Sequence, residues 1–373
     1  MRKKLDAFIE QTKKERDLCK PVFFRLAKKS DYNALNDLIE NQINIYVHDS
    51  LQGQLEELVK LRNPQKKFAK AELAAAAKDH LGTIPADEYG VWVYYPWSRR
   101  LVHLLDEKEF VQVRTSRNQY KITPEESAVL AQKKIGVIGL SVGQAVSVTM
   151  AMERIFGEIR LADFDILELS NYNRIRTGLH NLDISKVVTV AREIAEIDPF
   201  LKVTCYPEGI NEANIDDFFL KDGKLDLVLD ECDGLNIKIL CRQRAKALQI
   251  PVIMETSDRG MVDVERFDLD PGRSILHGLI DHLDINKVKE AKTNEEKIPF
   301  ILPMIGFDTI SAKLRASLSE VGKTINTWPQ LASAVTLGGG LATDISRRLL
   351  LDSFTESGRY YVDVEELVCN KRK

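Results

Sequence analysis

No stretch of the 373-residue chain holds the ~18–20 consecutive apolar residues that a membrane span needs. The N-terminus, MRKKLDAFIEQTKKERD, is charged and lacks the apolar core of a secretory signal. Net charge is almost absent: 53 Lys and Arg face 56 Asp and Glu, a formal −3 with His neutral. A protein built to hold a nucleic-acid backbone carries a cationic excess, so this balance argues against that class, though not against a local basic patch. The five cysteines, Cys19, Cys205, Cys232, Cys241 and Cys369, contain no CxxC pair. They give neither a structural-zinc spacing nor a disulfide framework, and read as free thiols in a reducing compartment. His277 and His282 are five apart, so a helix would not bring them to one face. Repeats and low-complexity linkers are missing as well. These absences lead us to expect a soluble cytoplasmic protein of two or three domains, with no membrane partner.

What the chain does have is rhythm. The first ~20 residues read as a charged helix. A helical stretch at 67–79 runs up to the break at Gly82, then an aromatic strand at 91–95 and a second at 101–105 flank a turn at 96–100. We expect an α+β N-terminal region over 1–110. Beyond it strands and helices alternate. Strands are expected at 133–140, 158–165, 201–207, 225–233 and 250–256. Helices are expected at 145–156, 185–198, 214–220 and 236–249. Such alternation means parallel strands joined by crossover helices, a doubly wound Rossmann-like α/β domain over 111–373. The later chain differs. MVDVERFDL (261–269) alternates like a strand covered on one face. DINKVKEAKTNEEK (284–297) is a charged loop or helix. LGGGLATDISRRLLL (337–351) reads as a glycine-rich turn leading into a helix, and RYYVDVEEL (359–367) as a terminal strand. Together these form an antiparallel C-terminal extension of the sheet.

In a doubly wound sheet ligands gather at the carboxyl ends of the strands. Three ends carry suggestive residues. Gly139-Leu-Ser141-Val-Gly143 joins a strand to a helix, where close backbone approach and free N–H groups suit a phosphate. It is not a full GxGxxG, and a plain tight turn is the competing reading. Asp163 and Asp165 end the second strand, where an acid is placed for ribose hydroxyls. Asn171, Arg174 and Arg176 follow with amide and guanidinium donors, and Lys186 opens the next helix. The competing reading there is a solvated loop with Asp183 or Ser185 as an N-cap. Asp230 and Asp233, in DECDG, close the fourth strand. Two such acids suit Mg²⁺ held through water and phosphate, whereas the alternative is an Asp N-cap.

The order of these pieces, GVIGLSVG…LADFDILELSNYNR…SK…EIDPFLKV…DLVLDECDG…IPVIMETSDRG, resembles the E1-like (ThiF/MoeB/ubiquitin-activating) adenylyltransferase family. VRTSRNQY (113–120) is similar to the family's RxxRQ entry segment, and GGGLATDISRRLLL (338–351) to its late glycine turn and helix. The resemblance spans roughly 113–351, with D-x-D…SNxNR as its most specific part. It implies an ATP site formed by Gly139, Ser141, Gly143, Asp163, Asp165, Asn171, Arg174 and Lys186. It assigns Mg²⁺ to Asp233, catalytic work to Arg174, Lys186 and Asp233, and an in-trans role in a homodimer to Arg117. The family reaction is attack of a carboxylate, often a carrier-protein or peptide C-terminus, on the α-phosphate of ATP.

Three departures refine that expectation. The glycine loop is thinner than the family's GxGGxG, the CxxC zinc pairs of many bacterial members are missing, and no cysteine lies between 242 and 368. Cys241 falls inside a helix, a core position. The expectation is therefore adenylation without a covalent cysteine relay. Segment 1–112 resembles the N-terminal extension of certain bacterial members, and the chain ends before the nitroreductase-like domain that some of them carry. Alternatives are a catalytically silent nucleotide-binding scaffold of the same fold, an enzyme acting on modified tRNA, and an NAD-dependent dehydrogenase. Asp163 permits the last, but the SNYNR cluster has no role in it.

Overall fold

A computed structural model describes residues 2–42, 44–284, 287–288 and 294–370. The chain divides into two compact units. One comprises Met1–Pro124 with Ala195–Phe200, the other Glu125–Ile194 with Leu201–Lys373.

In the first unit, strands β1 (Val22–Phe24), β2 (Tyr46–Asp49), β3 (Val91–Tyr95) and β4 (Arg100–Leu104) form a sheet of order β1-β3-β4-β2. β3 and β4 pair antiparallel across the expected turn, where Arg99 adopts a left-handed backbone with φ 52°. The helix expected at 67–79 runs Lys70–Leu81. Glu72 accepts the Ala69 N–H at 3.0 Å and fixes where it starts. Leu51, Leu55, Leu58, Ala77 and Leu105 make a small core of this unit.

The second unit is built on seven strands: β5 (Lys134–Ile138), β6 (Glu158–Ala162), β7 (Lys202–Tyr206), β8 (Leu227–Asp230), β9 (Val252–Glu255), β10 (Met261–Glu265) and β11 (Gly358–Tyr361). Their order is β11-β10-β9-β8-β5-β6-β7. β5 to β9 are mutually parallel, and β10 and β11 extend the sheet antiparallel. The chain steps outward from β5 to β6 and β7, then returns to lay β8 against the other side of β5. That reversal opens a crevice at the carboxyl ends of β5, β6 and β8. Register aligns those ends, Ile138 facing both Ala162 and Asp230. The apolar runs follow from burial on both faces: every residue of β6, β8 and β9 is buried.

The later chain departs from its pattern-based reading in three places. β10 is buried along its whole length instead of on one face. Its polar positions are neutralised in place: Asp263 bonds His277 at 2.9 Å and Arg359 at 2.7 Å, and Glu265 pairs with Arg242 at 2.5 Å. The glycines at 338–340 are no turn but lie inside one helix, Ala332–Leu350. Each costs ~1 kcal/mol of intrinsic helix preference. Close packing demands Gly338 and Gly339, since a Cβ at Gly338 would meet the Glu255 carboxyl and one at Gly339 would lie 3.0 Å from the Ala145 backbone, whereas Gly340 faces open space. RYYVDVEEL is a strand only to Tyr361. Asp363 then caps a short helix, Val364–Leu367, accepting the Glu365 N–H at 3.0 Å. Of the charged stretch 284–297, residues 285–286 and 289–293 lie outside the described set, and Asn294 opens a helix that runs to Ile305.

Arg242 ties this unit together. Fully buried on the helix Leu235–Ala247, it bonds Asp230 at the end of β8 and Glu265 at the end of β10. Truncation would leave buried Glu265 without its cation and Asp230 with Lys238 alone. We expect Arg242→Ala to cost about 3–5 kcal/mol in urea unfolding, far above a surface arginine. A loss under ~1 kcal/mol would show that water already compensates these acids.

Candidate functional site

Gly139 leaves β5 with φ +88°, a conformation side chains rarely adopt. A Cβ there would sit 2.6 Å from the carbonyl carbon and oxygen of Glu231, so only glycine lets β5 and β8 end this close. Glu231 N–H donates to Ile138 O at 2.8 Å and locks the two ends together. The loop then enters the helix Gly143–Glu153 through Ser141 and Val142.

Asp163, buried at the end of β6, organises this loop. Its Oδ2 accepts the Leu140 N–H at 2.6 Å and its Oδ1 accepts the Asp165 N–H at 2.8 Å. Burial pushes its carboxyl up, against the pull of Lys186 and of those two backbone donors. Lys186, itself buried, bonds Asp165 Oδ2 at 2.7 Å. Asn171 is buried in the 3₁₀ turn Leu169–Asn173, its Oδ1 accepting the Glu168 N–H at 3.1 Å. Arg174 Nε donates to Ser141 Oγ at 3.1 Å and so brings the SNYNR segment onto the glycine loop. Partial burial lowers the Arg174 pKa, while nearby Asp233 favours its charge. The N-cap alternative for this loop fails at Ser185, whose buried Oγ has no partner.

The two acids of DECDG part company. Asp230 is wholly buried and bonded to Lys238 at 3.0 Å and to Arg242. Burial alone would push it up, but these cations hold it far below the usual carboxylate range. It is a structural ion, and the reading that it shares a Mg²⁺ with Asp233 does not hold for it. Asp233 does not cap the following helix, whose N-cap is Gly234. It is reached by solvent yet ringed by protein, so desolvation raises its pKa against the pull of Lys238, Arg174 and Lys186. A carboxylate with unspent cation affinity, beside a phosphate-sized cluster of donors, fits Mg²⁺, which usually takes one or two carboxylates and completes its shell with water and phosphate. Cys232 beside it donates its thiol to Asp230 Oδ1 at 3.0 Å. Burial and Asp230 raise its pKa well above the ordinary thiol value, so it stays protonated and a poor nucleophile.

Sequence reasoning missed the cavity beside Asp233. It measures about 680 Å³ and is walled by Val142, Glu231–Asp233, parts of 301–318 and 328–337, and Val362–Glu365. The 301–331 wall has no clean periodicity, which is why no pattern revealed it. Glu231 and Glu255 line it at the ends of β8 and β9, Glu231 accepting the Glu255 N–H at 3.1 Å. Burial, then the neighbouring Glu255, raises Glu231 well above its usual value. Burial lifts Glu255 to about 7 against its bonds to Ser257. Asn173 Nδ2 donates to Gln330 O at 2.8 Å, joining the SNYNR segment to the cavity wall. The structure thus gathers Gly139, Ser141, Gly143, Asp163, Asp165, Asn171, Arg174, Lys186 and Asp233 in the second unit. Arg117 lies in a 3₁₀ turn, Ser116–Asn118, of the first.

A family model described as "ThiF family" matches residues 115–312, just over half of the chain. An uncharacterised protein of Mycobacterium tuberculosis, MT1398, is 44% identical over 273 residues, 73% of this chain and 38% of that relative. The tRNA threonylcarbamoyladenosine dehydratase of Bacillus subtilis is 28% identical over 156 residues, 41% of this chain and 60% of the enzyme. The chain therefore spans between about two fifths and three fifths of these relatives' lengths. Among solved structures, E. coli TcdA in complex with ATP aligns with a TM-score of 0.47 at 17% identity, covering 67% of this chain and 98% of that one. E. coli MccB aligns with 0.47 at 13% identity, covering 81% and 79%. Among the described residues no helix is long and apolar enough to cross a membrane.

Glu255 gives a test of these electrostatics. Its pKa is about 7 folded against an ordinary 4.5, so the folded chain holds an extra proton between those values. Stability from this group is therefore greatest below pH 4.5 and falls as pH rises through about 7. Glu255→Gln removes the penalty. We expect it to stabilise the protein at pH 8 by about 1–3 kcal/mol and to change little at pH 4, as read by urea melts at both. An equal shift at the two pH values would place Glu255 in an ordinary, hydrated setting.

Proposed function

The chain belongs to the ThiF family, and from that premise we propose that it is an ATP-dependent, E1-like adenylyltransferase that activates a carboxylate as its acyl-adenylate. The observation that carries this reading is the convergence of Arg174 and Lys186, from the segment after β6, on Asp233 after β8, both cations pulling on the Asp233 carboxyl.

The roles follow from the contacts. Asp163 spends one lone pair of each oxygen on backbone N–H groups and keeps the others for ribose hydroxyls. The thin loop around Gly139, Ser141 and Gly143 lets phosphate approach the backbone. Asp165 holds the Lys186 ammonium in place, and Ser141 holds the Arg174 guanidinium. Both cations face the charge that grows as a carboxylate oxygen attacks the α-phosphorus and pyrophosphate leaves with the electron pair of the broken P–O bond. Asn171 braces the turn that presents Arg174. Asp233 would hold Mg²⁺, which neutralises phosphate charge when bound. With Cys232 protonated and donating to Asp230, the reading ends at the adenylate without a thioester.

A second reading, an E1-like enzyme acting on modified tRNA, draws support from the sequence similarity to the B. subtilis dehydratase. The two share the adenylation chemistry and differ in the acyl substrate, so an exchange assay with tRNA, with carrier proteins and with peptides separates them.

We expect Asp233→Ala to abolish ATP–pyrophosphate exchange while leaving the melting temperature within a few degrees of wild type, because the side chain caps nothing. Wild-type exchange in the variant would remove Asp233 from the chemistry.

The proposal extends to assembly: a homodimer in which Arg117 completes the ATP site of the other subunit, as an arginine finger does. Arg117→Ala and Asp233→Ala proteins, each inactive alone, should regain exchange when mixed, since one hybrid site then has both groups. A monomer by light scattering, or no recovery after proven subunit exchange, would overturn the shared site.

A further inference from the structure

The cavity beside Asp233 is the part of the molecule that the nucleotide roles leave unexplained. Asp163, Arg174 and Lys186 do not line it, but Val142 and Asp233 do, so it opens from the end of the phosphate cluster. Its walls are mainly apolar, with Met254, Met304, Ile310, Leu314, Trp328 and Leu337 among them. At about 680 Å³ it has the size that buries a drug-sized ligand, far more than a pair of glycine residues fills. A slim glycine tail would leave these walls wetted, whereas each methylene buried against them adds ~0.8 kcal/mol.

We infer that this cavity receives the acyl group, and that it selects a carboxylate carrying a bulky apolar side chain or body over a glycine tail or a charged one. The inference rests on the adenylation reading for the identity of the reacting end, which lies toward Asp233. Size and the apolar part of the wall fix the rest. Glu231 and Glu255 line the sheet side, so an anionic side chain placed there would meet two carboxyl groups. The cations of the lining are already paired: Lys238 with Asp230 at 3.0 Å, Arg259 with Asp363 at 2.6 Å and Glu366 at 2.5 Å, and Lys313 with Glu365 at 2.7 Å. The shared chemistry has two sources, a peptide C-terminus and a free carboxylic acid, and the test has an arm for each.

The probes are N-acetyl tetrapeptides ending in Gly-Gly, Leu, Phe, Lys or Glu, with octanoate and 4-phenylbutyrate as free acids. ATP–pyrophosphate exchange gives kcat/KM for each. Quenching of Trp328, taken as the difference between wild type and Trp328→Phe, reports binding without chemistry. The expected result is that Leu- or Phe-ended peptides, or the free apolar acids, exceed Gly-Gly, Lys and Glu peptides by about tenfold or more. Ala334→Phe and Ser333→Phe each add bulk to the cavity wall, and two variants guard against one failing to fold. In either, the apolar advantage should fall about tenfold while ATP still raises the melting temperature. Preference for the Gly-Gly peptide would overturn this inference and leave adenylation standing. Saturable Trp328 quenching by apolar acids, blocked by Ala334→Phe but without exchange for any probe, would uphold the apolar cavity and overturn adenylation. Neither quenching nor exchange with any apolar probe would overturn the inference outright.

Discussion

Arg242 is the constraint on which the second unit depends. A guanidinium with no water around it must be surrounded by acids, and it is: Asp230 from β8 on one side, Glu265 from β10 on the other. The ion cluster joins a parallel strand, its crossover helix and an antiparallel strand at a single point. It also decides the chemistry next door. By keeping Asp230 as a permanent structural anion, Arg242 and Lys238 leave Asp233 as the one DECDG aspartate free to meet a ligand. The buried thiol of Cys232 is held inert by the same anion.

The parallel sheet was legible because strands buried on both faces can hardly be written in any way but as short apolar runs. β5, β6, β8 and β9 each announce themselves so. The places of Asp163 and Asp233 were legible because charged residues stand where the buried runs of β6 and β8 stop, whereas Arg174 and Lys186 come from the loop and helix after β6. Other features were hidden for identifiable reasons. Glycines 338–340 signal a turn in one dimension, and only the Glu255 carboxyl and the Ala145 backbone explain the place of Gly338 and Gly339 in a helix. Asp263 and Glu265 look like the wet side of a strand because their partners, Arg359, His277 and Arg242, come from distant sequence. Lys238 and Arg242, four apart on a helix, carry no sequence mark of the Asp230 beneath them.

The electrostatic design is layered. Deep in the unit, charges are paired and fixed. Along the crevice they are half-satisfied: Asp233 and Asp163 are both pushed up by burial, and Arg174 is pushed down. Such groups gain most from a counter-charge brought in by a ligand, because the desolvation cost is already met by the fold. Along the cavity the acids Glu231 and Glu255 are both pushed up, chiefly by burial. One sheet edge therefore presents a charged half and an apolar half within the span of three strand ends.

The hydrogen bond from Asn173 to the carbonyl of Gln330 is a small contact between these halves, yet it makes them mechanically one. On the proposed reading, a polyphosphate drawn onto the SNYNR segment would also draw on the loop that carries Trp328. Binding in one compartment would then alter the free energy of binding in the other. Thermodynamic reciprocity then requires the influence to be equal in both directions, so the order in which the two substrates arrive leaves the stability of the loaded site unchanged.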